Sequence, residues 1–134
     1  EEIKKYINDN FKNNEIEIFF NLETDKLINL YRKTSLYIFT SYCEVFGLTT
    51  IEAMSQGCVV AVSNTSALPE INSDAAEYFD PNNIEQIKNV IKKNILEDKK
   101  NNNLIKKSSK HFQKFSWKSN IAETLSIIYS VSKR

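Results

Sequence analysis

One short apolar segment, with a glycine directly before it, constrains the fold of this chain more than any other feature. Residues 58–62 read Cys-Val-Val-Ala-Val and contain no polar side chain. A strand with one face in water alternates apolar and polar residues, so a strand without that alternation is covered on both faces. Gly57 directly precedes it, and glycine readily takes the left-handed conformation that ends a helix. The sequence therefore predicts a helix that ends at Gly57 and a strand in the middle of a parallel sheet.

Short apolar segments alternate with helical periodicities over the rest of the chain. The predicted strands are residues 16–20, 36–39, 58–62 and 76–79. The predicted helices are residues 2–11, 24–33, 48–56, 83–97 and 101–112, and a last one that follows Ser116. We expect Thr24 and Ser116 to be N-caps, and residues 41–46 and 63–73 to be loops. Strands that alternate with helices form β-α-β units with right-handed crossovers, which predicts an α/β fold with a Rossmann-like parallel sheet and flanking helices.

The length and charge of the chain set its general character. Its 134 residues suit one domain, and its net charge of +1 gives no reason to expect a nucleic acid as a partner. The sequence contains no secretory signal and no apolar stretch long enough to span a bilayer, which favours a cytoplasmic protein. Its first residues have a helical pattern, so we expect the chain to be part of a longer protein.

Four single residues have plain structural interpretations. Cys43 and Cys58 form no Cys-x-x-Cys pair, and we expect both to be small buried side chains. His111 stands among lysines, which predicts a solvated helix face rather than a catalytic residue. We expect Trp117 to lie in the core. None of the four is a candidate for chemistry.

The region from residue 41 to residue 54 has the pattern on which the functional interpretation depends. A predicted strand is followed by a loop, by Gly47 and then by a helix, and ligands of open α/β sheets bind at the carboxyl ends of the strands. The amides of residues 46–49 form an anion site that suits phosphate oxygens. Glu44 in the loop and Glu52 one turn into the helix flank this site. These two acids have two possible roles. They either stabilise the helix by complementing its dipole, or they accept hydrogen bonds from the hydroxyl groups of a sugar.

The spacing of the two acids resembles a motif of a known enzyme family. Glu44 and Glu52, with seven residues between them, resemble the E-x7-E motif of the retaining glycosyltransferases of group 1 (family 4). The residues after Glu44, Val-Phe-Gly-Leu, and those after Glu52, Ala-Met-Ser-Gln-Gly-Cys-Val-Val, are similar to the family pattern. So are Leu-Pro-Glu at 68–70 and Phe-Ser-Trp at 115–117. The similarity keeps the family's order over nearly the whole chain.

This resemblance implies a fold and a set of site residues. Residues 1–134 would be a partial, nucleotide-sugar-binding C-terminal domain of a GT-B-fold glycosyltransferase, truncated, without its acceptor domain and inactive alone. Glu44 would be the catalytic carboxylate that faces the donor sugar. The residues implied to bind the donor are Ser41, Phe46, Gly47, Leu48, Thr49 and Glu52, with Glu52 on the ribose hydroxyls.

The same resemblance implies a reaction and its partners. A sugar would pass from a nucleotide-sugar, most often a UDP- or GDP-sugar, to an unknown sugar or lipid-linked acceptor with retention of configuration. Positive groups would stabilise the departing diphosphate, and no metal or other cofactor would be required. The Arg and Lys pair that serves this purpose in the family has no counterpart in residues 1–35. The enzyme would be cytoplasmic or peripheral at the inner face of the membrane.

The chain departs from the family pattern at positions that bear on the site and the sheet. Val45 replaces the usual glycine of the motif, and a β-branched side chain there resists an unusual backbone and crowds the pocket. Asn21 and Ser73 also stand where the family has glycine. Family topology would place two further strands between 16–20 and 36–39. Without them the sheet has an unpaired edge, which predicts rearrangement of the sheet or self-association with another chain.

Two other functions are compatible with the same residues. One is a non-catalytic nucleotide-binding or interaction module of the same fold, and Val45 keeps this alternative open. The other is a GT-B-fold sugar-nucleotide epimerase, which uses a similar nucleotide cradle but hydrolyses or isomerises the donor. Calorimetry with UDP-, GDP- and ADP-sugars separates a donor-binding enzyme from a module that binds only a protein.

Overall fold

Three parallel strands form the centre of the fold. In the computed structural model, which describes residues 2–12, 15–96 and 98–132, the strands are β1 (Leu36–Phe39), β2 (Val59–Ser63) and β3 (Glu77–Phe79). Their order in the sheet is β1-β2-β3, and Leu36 of β1 lies opposite Val59 of β2. Each strand therefore pairs with the next one along the chain, in the parallel direction that the sequence predicts.

Helices cover both faces of this sheet. The helices of the described residues are α1 (Glu2–Asn10), α2 (Thr24–Lys33), α3 (Leu48–Ser55), α4 (Leu68–Asn72), α5 (Ile84–Leu96), α6 (Asp98–His111) and α7 (Trp117–Ser132). Two 3₁₀ turns follow α4 and α6, at Ser73–Ala75 and Phe112–Lys114. α3 and α6 pack on one face of the sheet, and α5 packs on the other. The predicted α/β fold with flanking helices is confirmed.

β2 is the fully covered strand that the sequence predicts. All five of its residues are buried. Val60 and Val62 belong to one core together with Met54 of α3, and Ala61 belongs to a second core together with Val90 of α5. Because successive side chains of a strand point to opposite faces, β2 contributes to both cores at once. This strand and the helix before it therefore fix the position of the loop that joins β1 to α3.

The connection from α3 to β2 is a Schellman motif, as the position of the glycine predicts. Gly57 has a φ of +85°. Its amide donates to the carbonyl of Met54, and the amide of Cys58 donates to that of Ala53, both at 3.1 Å. The Cys58 thiol donates to the carbonyl of Tyr31 at 2.8 Å, and burial raises the pKa of this thiol. The end of α3 is thereby fastened to α2.

Residues 16–20 form no strand, so that prediction is wrong. Among the described residues no strand lies beside this segment, and its side chains are exposed. A strand is held by hydrogen bonds to a neighbour, so β-branched and aromatic residues alone do not produce one. Phe20 instead lies under the ammonium group of Lys4, which is 5.1 Å from the ring centroid. The predicted rearrangement of the sheet is also wrong, while self-association through an unpaired edge stays a prediction.

Three local predictions are corrected by the structure. Residues 63–73 are not a single loop but include α4, whose first turn contains Pro69, a residue with a φ preset for a helix start. Glu23 rather than Thr24 is the N-cap of α2, and no side chain hydrogen-bonds at that end. Cys43 is exposed, because it lies in the loop after β1 and not in a strand. Cys58, by contrast, is buried as predicted.

His111, at the end of α6, and Trp117, at the start of α7, lie in environments that differ from those the sequence predicts. His111 is only 7% exposed, and its Nε2 lies 2.7 Å from the carbonyl oxygen of Ile71, so it joins α6 to α4 instead of facing solvent. Trp117 is 82% exposed rather than in the core. The predicted N-cap of the last helix is confirmed, since the Ser116 hydroxyl accepts a hydrogen bond from the Ser119 amide at 3.1 Å.

α7 exposes apolar side chains along its length and has no buried residue. Ile121, Leu125 and Ile128 are all exposed along it. No helix within the described part of the chain is long and apolar enough to cross a membrane. The position at the inner membrane face stays a prediction.

Tyr78 in β3 makes the fold less stable at alkaline pH. Burial, and then the nearby carboxylate of Asp74, raise the pKa of Tyr78 from 10.0 to about 12. The folded state therefore holds the phenol proton more tightly than the unfolded chain does. This contribution to stability is full below pH 10 and is lost as the pH rises to about 12.

We expect the free energy of unfolding, measured by urea titration, to fall more steeply over this pH window in the natural protein than in a Tyr78→Phe variant. The other tyrosines with raised pKa values, Tyr31 and Tyr37, are common to both proteins. Parallel pH profiles for the two proteins would contradict the prediction.

Candidate functional site

The candidate site lies where the strands end, at the carboxyl edge of the parallel sheet. The loop after β1 leads into α3, and the loop after β2 leads into α4. The carbonyl oxygen of Ser41 accepts hydrogen bonds from the hydroxyls of Ser63 and Thr65, the latter at 3.2 Å. The amide of Asn64 donates to the carbonyl of Phe79, the last residue of β3, at 2.8 Å. These bonds hold the two loops and the three strand ends together.

Gly47 sets the start of α3. It is the N-cap of the helix and has a left-handed backbone, with a φ of +79°. A Cβ atom at this position would lie 2.8 Å from Cδ2 of Leu68 and 3.6 Å from Cγ of Glu44. Glycine therefore serves both the backbone angle and the close approach of α4. The loop, the helix start and Glu44 are packed around this one residue.

The start of α3 presents unpaired backbone donors. No described residue accepts a hydrogen bond from the amides of residues 46–49. The carbonyl oxygen of Gly47 accepts from both the amide and the hydroxyl of Thr50, at 2.9 and 2.8 Å, which fixes the first turn. Free amides and the helix dipole together attract anions. The geometry meets the needs of the predicted anion site, and the binding of a phosphate there stays a prediction.

Glu44 is half-buried beside this helix start and is held mainly through its backbone. The Ser66 hydroxyl accepts from the Glu44 amide at 3.2 Å and donates to the Glu44 carbonyl at 2.7 Å. The Glu44 carboxylate accepts a hydrogen bond from the Val45 amide at 3.0 Å. It forms no ion pair with another described residue. Its remaining lone pairs are available to hydroxyl groups of a ligand.

Glu52 lies one turn further along α3 and is exposed. It lines a cleft of about 310 Å³ between α2 and α3. The other lining residues are Thr24, Leu27, Ile28, Tyr31, Ser55 and Gln56. Glu44 is not among them, so the two acids occupy different parts of the surface around α3. Like Glu44, Glu52 forms no ion pair with a described residue.

Two tyrosines lie beneath the cleft side of α3. Burial raises the pKa of Tyr31 well above its usual range, and the nearby Tyr37 hydroxyl and Glu52 carboxylate add to this effect. Burial also raises the pKa of Tyr37, which a hydrogen bond to Thr49 partly offsets. That bond runs from the Tyr37 hydroxyl to Oγ1 of Thr49 at 2.9 Å. Both phenols therefore stay protonated, and the Tyr37 hydroxyl fixes the Thr49 side chain by this bond.

The other predicted site residues also have defined positions. The Ser41 hydroxyl donates to the carbonyl of Cys43 at 3.0 Å, within the β1–α3 loop. The ring of Phe46 packs edge-on against Phe115, with centroids 5.7 Å apart. Leu48 is exposed at the start of α3. No group of three or more His, Cys, Asp and Glu side chains among the described residues is placed to hold a metal ion.

The departures from the family pattern do not distort the loop in the way the sequence suggests. Among the described residues, the non-glycine positions with positive φ are Asn21, Ser66 and Ser73. Val45 is thus not forced into an unusual backbone, and its side chain is 91% exposed. Asn21 and Ser73 have φ values of 50° and 49°, so they keep a conformation that glycine would take more easily.

The structure adds residues to the site that sequence reasoning missed. Ser63, Thr65 and Ser66 hold the backbone of the β1–α3 loop, and Tyr31 lies beside Glu52. The hydroxyl side chains at the end of β2 and shortly after it are the signal in the sequence that could have indicated the first three. Nothing in the spacing of Tyr31 points to Glu52, because the two lie on different helices.

The parallel sheet with its flanking helices and the loop-to-helix junction at its carboxyl edge have the architecture of a GT-B-fold domain. The chain belongs to the family described as glycosyl transferases group 1, whose model matches residues 1–111. This match confirms the predicted membership of the group 1 glycosyltransferases, whereas family 4 and retention of configuration stay predictions.

Relatives and a solved structure agree with this assignment. The chain is 31% identical over 96 residues to O-antigen chain mannosyltransferase B of Escherichia coli. This match covers 72% of the chain and 25% of that protein. It is 33% identical over 96 residues to the serotype-specific mannosyltransferase WbdA of Escherichia coli, covering 72% of this chain and 12% of that protein. The fold is similar to that of sucrose-phosphate synthase from Thermosynechococcus elongatus, with a TM-score of 0.85 at 19% identity, over 98% of this chain and 34% of that one.

The chain thus spans a quarter or less of the length of these mannosyltransferases. The activity, substrates and partners of the whole protein are therefore proposals.

Proposed function

We propose that the protein carrying this chain transfers a sugar from a nucleotide-sugar to a sugar or lipid-linked acceptor with retention of configuration, and that this chain binds the donor. The observation that supports this most is the start of α3 in a member of glycosyl transferases group 1. There, the free amides of residues 46–49 lie beside the carboxylate of Glu44, with Glu52 one turn away.

The diphosphate of the donor is the group that suits the free amides. Its oxygens carry negative charge, and the amides of residues 46–49 need acceptors. The positive end of the α3 dipole adds a further attraction. In the proposed reaction the bond between the anomeric carbon and the diphosphate oxygen breaks, and the diphosphate leaves with the electron pair. Donors fixed in advance at this point stabilise the charge as it grows, without reorganisation.

Glu44 is the group that would orient the transferred sugar. The acceptor hydroxyl oxygen bonds to the anomeric carbon on the face that the diphosphate leaves, and its proton passes to the departing diphosphate oxygen. This same-face course preserves the configuration. Glu44 contributes by accepting hydrogen bonds from the sugar hydroxyls, since its carboxylate has no cationic partner among the described residues. The reaction as proposed uses no metal.

The cleft between α2 and α3 is the place that we propose for the nucleoside. Its volume of about 310 Å³ lies within the usual range of ligand pockets. Leu27 and Ile28 give it an apolar wall, and Glu52 gives it a carboxylate for the ribose hydroxyls. UDP- and GDP-sugars are the donors to test first. Because the named relatives are mannosyltransferases, and one acts on the O-antigen chain, we propose mannose as the sugar and a polysaccharide chain as the acceptor.

Calorimetry of the full-length protein with UDP-, GDP- and ADP-sugars tests the donor site. We expect a Glu52→Ala variant to bind the preferred donor about tenfold more weakly, since a hydrogen bond to an exposed charged group contributes about 1.5 kcal/mol. A Glu123→Ala variant is the matched control, because Glu123 is an exposed acid on α7. Equal affinity in all three proteins would remove Glu52 from the site.

Product analysis separates the remaining functions. Transfer to an acceptor, with an unchanged anomeric configuration in the product, supports the proposal. Donor binding without turnover would favour a non-catalytic module, and release of a free or epimerised sugar would favour an epimerase. We also propose that this chain is inactive by itself, which assays of residues 1–134 beside the full-length protein test directly.

A further inference from the structure

Ser66 makes an unusual pair of contacts across the site. It lies in the turn after β2, and its hydroxyl bonds both backbone groups of Glu44, which is 22 positions earlier in the chain. It accepts from the Glu44 amide at 3.2 Å and donates to the Glu44 carbonyl at 2.7 Å. A hydroxyl can do both because it has one proton and two lone pairs. Two bonds to one residue fix the position and the orientation of its peptide groups.

The position of the Glu44 carboxylate follows from this anchoring. The carboxylate accepts a hydrogen bond from the amide of the next residue, Val45, at 3.0 Å. That contact is local, so it moves with the backbone of residues 44–45. Glu44 makes no other hydrogen bond to a described residue that would hold it to the rest of the fold. Ser66 therefore ties the Glu44 backbone directly to the loop after β2.

Ser66 is itself held firmly. Asn64 bonds the carbonyl of Phe79 in β3, and Thr65 bonds the carbonyl of Ser41, so the residues before Ser66 are tied to two other strand ends. Ser66 also has a φ of +55°, a left-handed conformation that is unfavourable for a residue with a side chain. Glycine would satisfy that backbone more easily, but glycine has no hydroxyl to offer to Glu44.

We propose that Ser66 is a positioning residue that fixes the Glu44 carboxylate for sugar transfer. It touches neither the donor nor the reacting atoms, and it acts through the Glu44 backbone. This inference rests on the proposed function, because it takes Glu44 as the group that orients the transferred sugar.

Kinetics of the full-length transferase with Ser66→Ala and Ser66→Gly test it. Both substitutions remove the hydroxyl, but only glycine relieves the left-handed backbone. We expect kcat to fall about tenfold in both variants, since a misplacement of about 1 Å can cost about 100-fold and the bonds from Ser63 and Thr65 still limit the shift of this loop. The donor Kd should change by less than about twofold, because the amides and Glu52 are untouched. If Ser66 served only to stabilise the loop, glycine would preserve kcat and alanine would not.

A double-mutant cycle separates positioning from a general loss of structure. In a Glu44→Ala background, Ser66→Ala should cause no further loss of kcat, because the group that it positions is gone. Ser109→Ala is the control, since the Ser109 hydroxyl bonds only the Lys106 carbonyl within α6, and it should keep natural kinetics. Additive losses in the cycle, or unchanged kcat in both Ser66 variants, would overturn the inference. Natural activity in Glu44→Ala would remove the role of Glu44 on which the inference rests, whereas the absence of sugar transfer by the natural full-length protein would overturn the proposed function.

Discussion

Replacing Glu44 by alanine in the full-length transferase is expected to lower kcat about 100-fold while the donor Kd changes only a few-fold. Removing a charged acceptor costs about 1.5–3 kcal/mol, and the upper end of that range corresponds to about 100-fold. The upper end applies because Glu44 is half-buried and pairs with no cation among the described residues. Its capacity as an acceptor is therefore not spent within the protein. Initial rates at saturating donor, together with calorimetry, measure the two quantities separately.

The Glu44→Gln variant shows which property of Glu44 matters. Glutamine keeps the size of the side chain and its acceptor for the Val45 amide, but it has no negative charge. We expect the Glu44→Gln variant to lose nearly as much activity as Glu44→Ala, because the attraction between a carboxylate and the sugar grows as the sugar develops positive charge in the reaction. A small loss in Glu44→Gln beside a large one in Glu44→Ala would indicate orientation by hydrogen bonding alone. Natural kcat in both variants would remove Glu44 from the catalytic site.

The part of the site built from neighbouring residues could be predicted from the sequence. Gly47 followed by a helical pattern indicates a helix start with free amides, because that outcome depends on the backbone of a few adjacent residues. The same is true of Gly57, whose position after α3 predicts the Schellman motif that the structure has. The apolar run of β2 also needs no knowledge of the rest of the chain, since a strand without polar residues must be covered on both sides.

The contacts between distant segments could not be predicted in this way. Ser66 meets Glu44 only because the loops after β1 and β2 end at the same edge of the sheet. His111 looks like a surface residue among lysines, but α6 packs against α4 there and the ring reaches the Ile71 carbonyl. In both cases the partner is decided by topology, and the side chain alone fits several environments.

The predicted strand at residues 16–20 is wrong for a related reason. Its residues have high strand propensity, which describes how well side chains fit a pleated surface. A strand also requires a second backbone with which to exchange hydrogen bonds, and no described strand lies beside this segment. Propensity is a property of the segment, whereas pairing is a property of the whole sheet. The pattern of residues 16–20 could therefore not settle the matter.

Gly47→Ala is expected to be the most destabilising single substitution at the site, lowering the free energy of unfolding by about 2–4 kcal/mol. Two costs add at this position. The left-handed backbone costs a residue with a side chain about 1–2 kcal/mol. The new methyl group would also lie 2.8 Å from Cδ2 of the buried Leu68, and overpacking of a core costs about 1–3 kcal/mol. Part of the second cost is relieved if the Leu68 side chain shifts.

Gly57→Ala is the matched control for this prediction. Gly57 has nearly the same backbone, with a φ of +85°, but an added Cβ atom would meet nothing within 4 Å. The free energy of unfolding of Gly57→Ala should therefore fall only by the cost of the left-handed backbone, about 1–2 kcal/mol. Urea unfolding of the two variants under one set of conditions measures the difference, which isolates the contact with Leu68. Equal losses of unfolding free energy in the two variants would show that Leu68 of α4 moves aside at no energetic cost. The close packing at Gly47 would then not stabilise the start of α3.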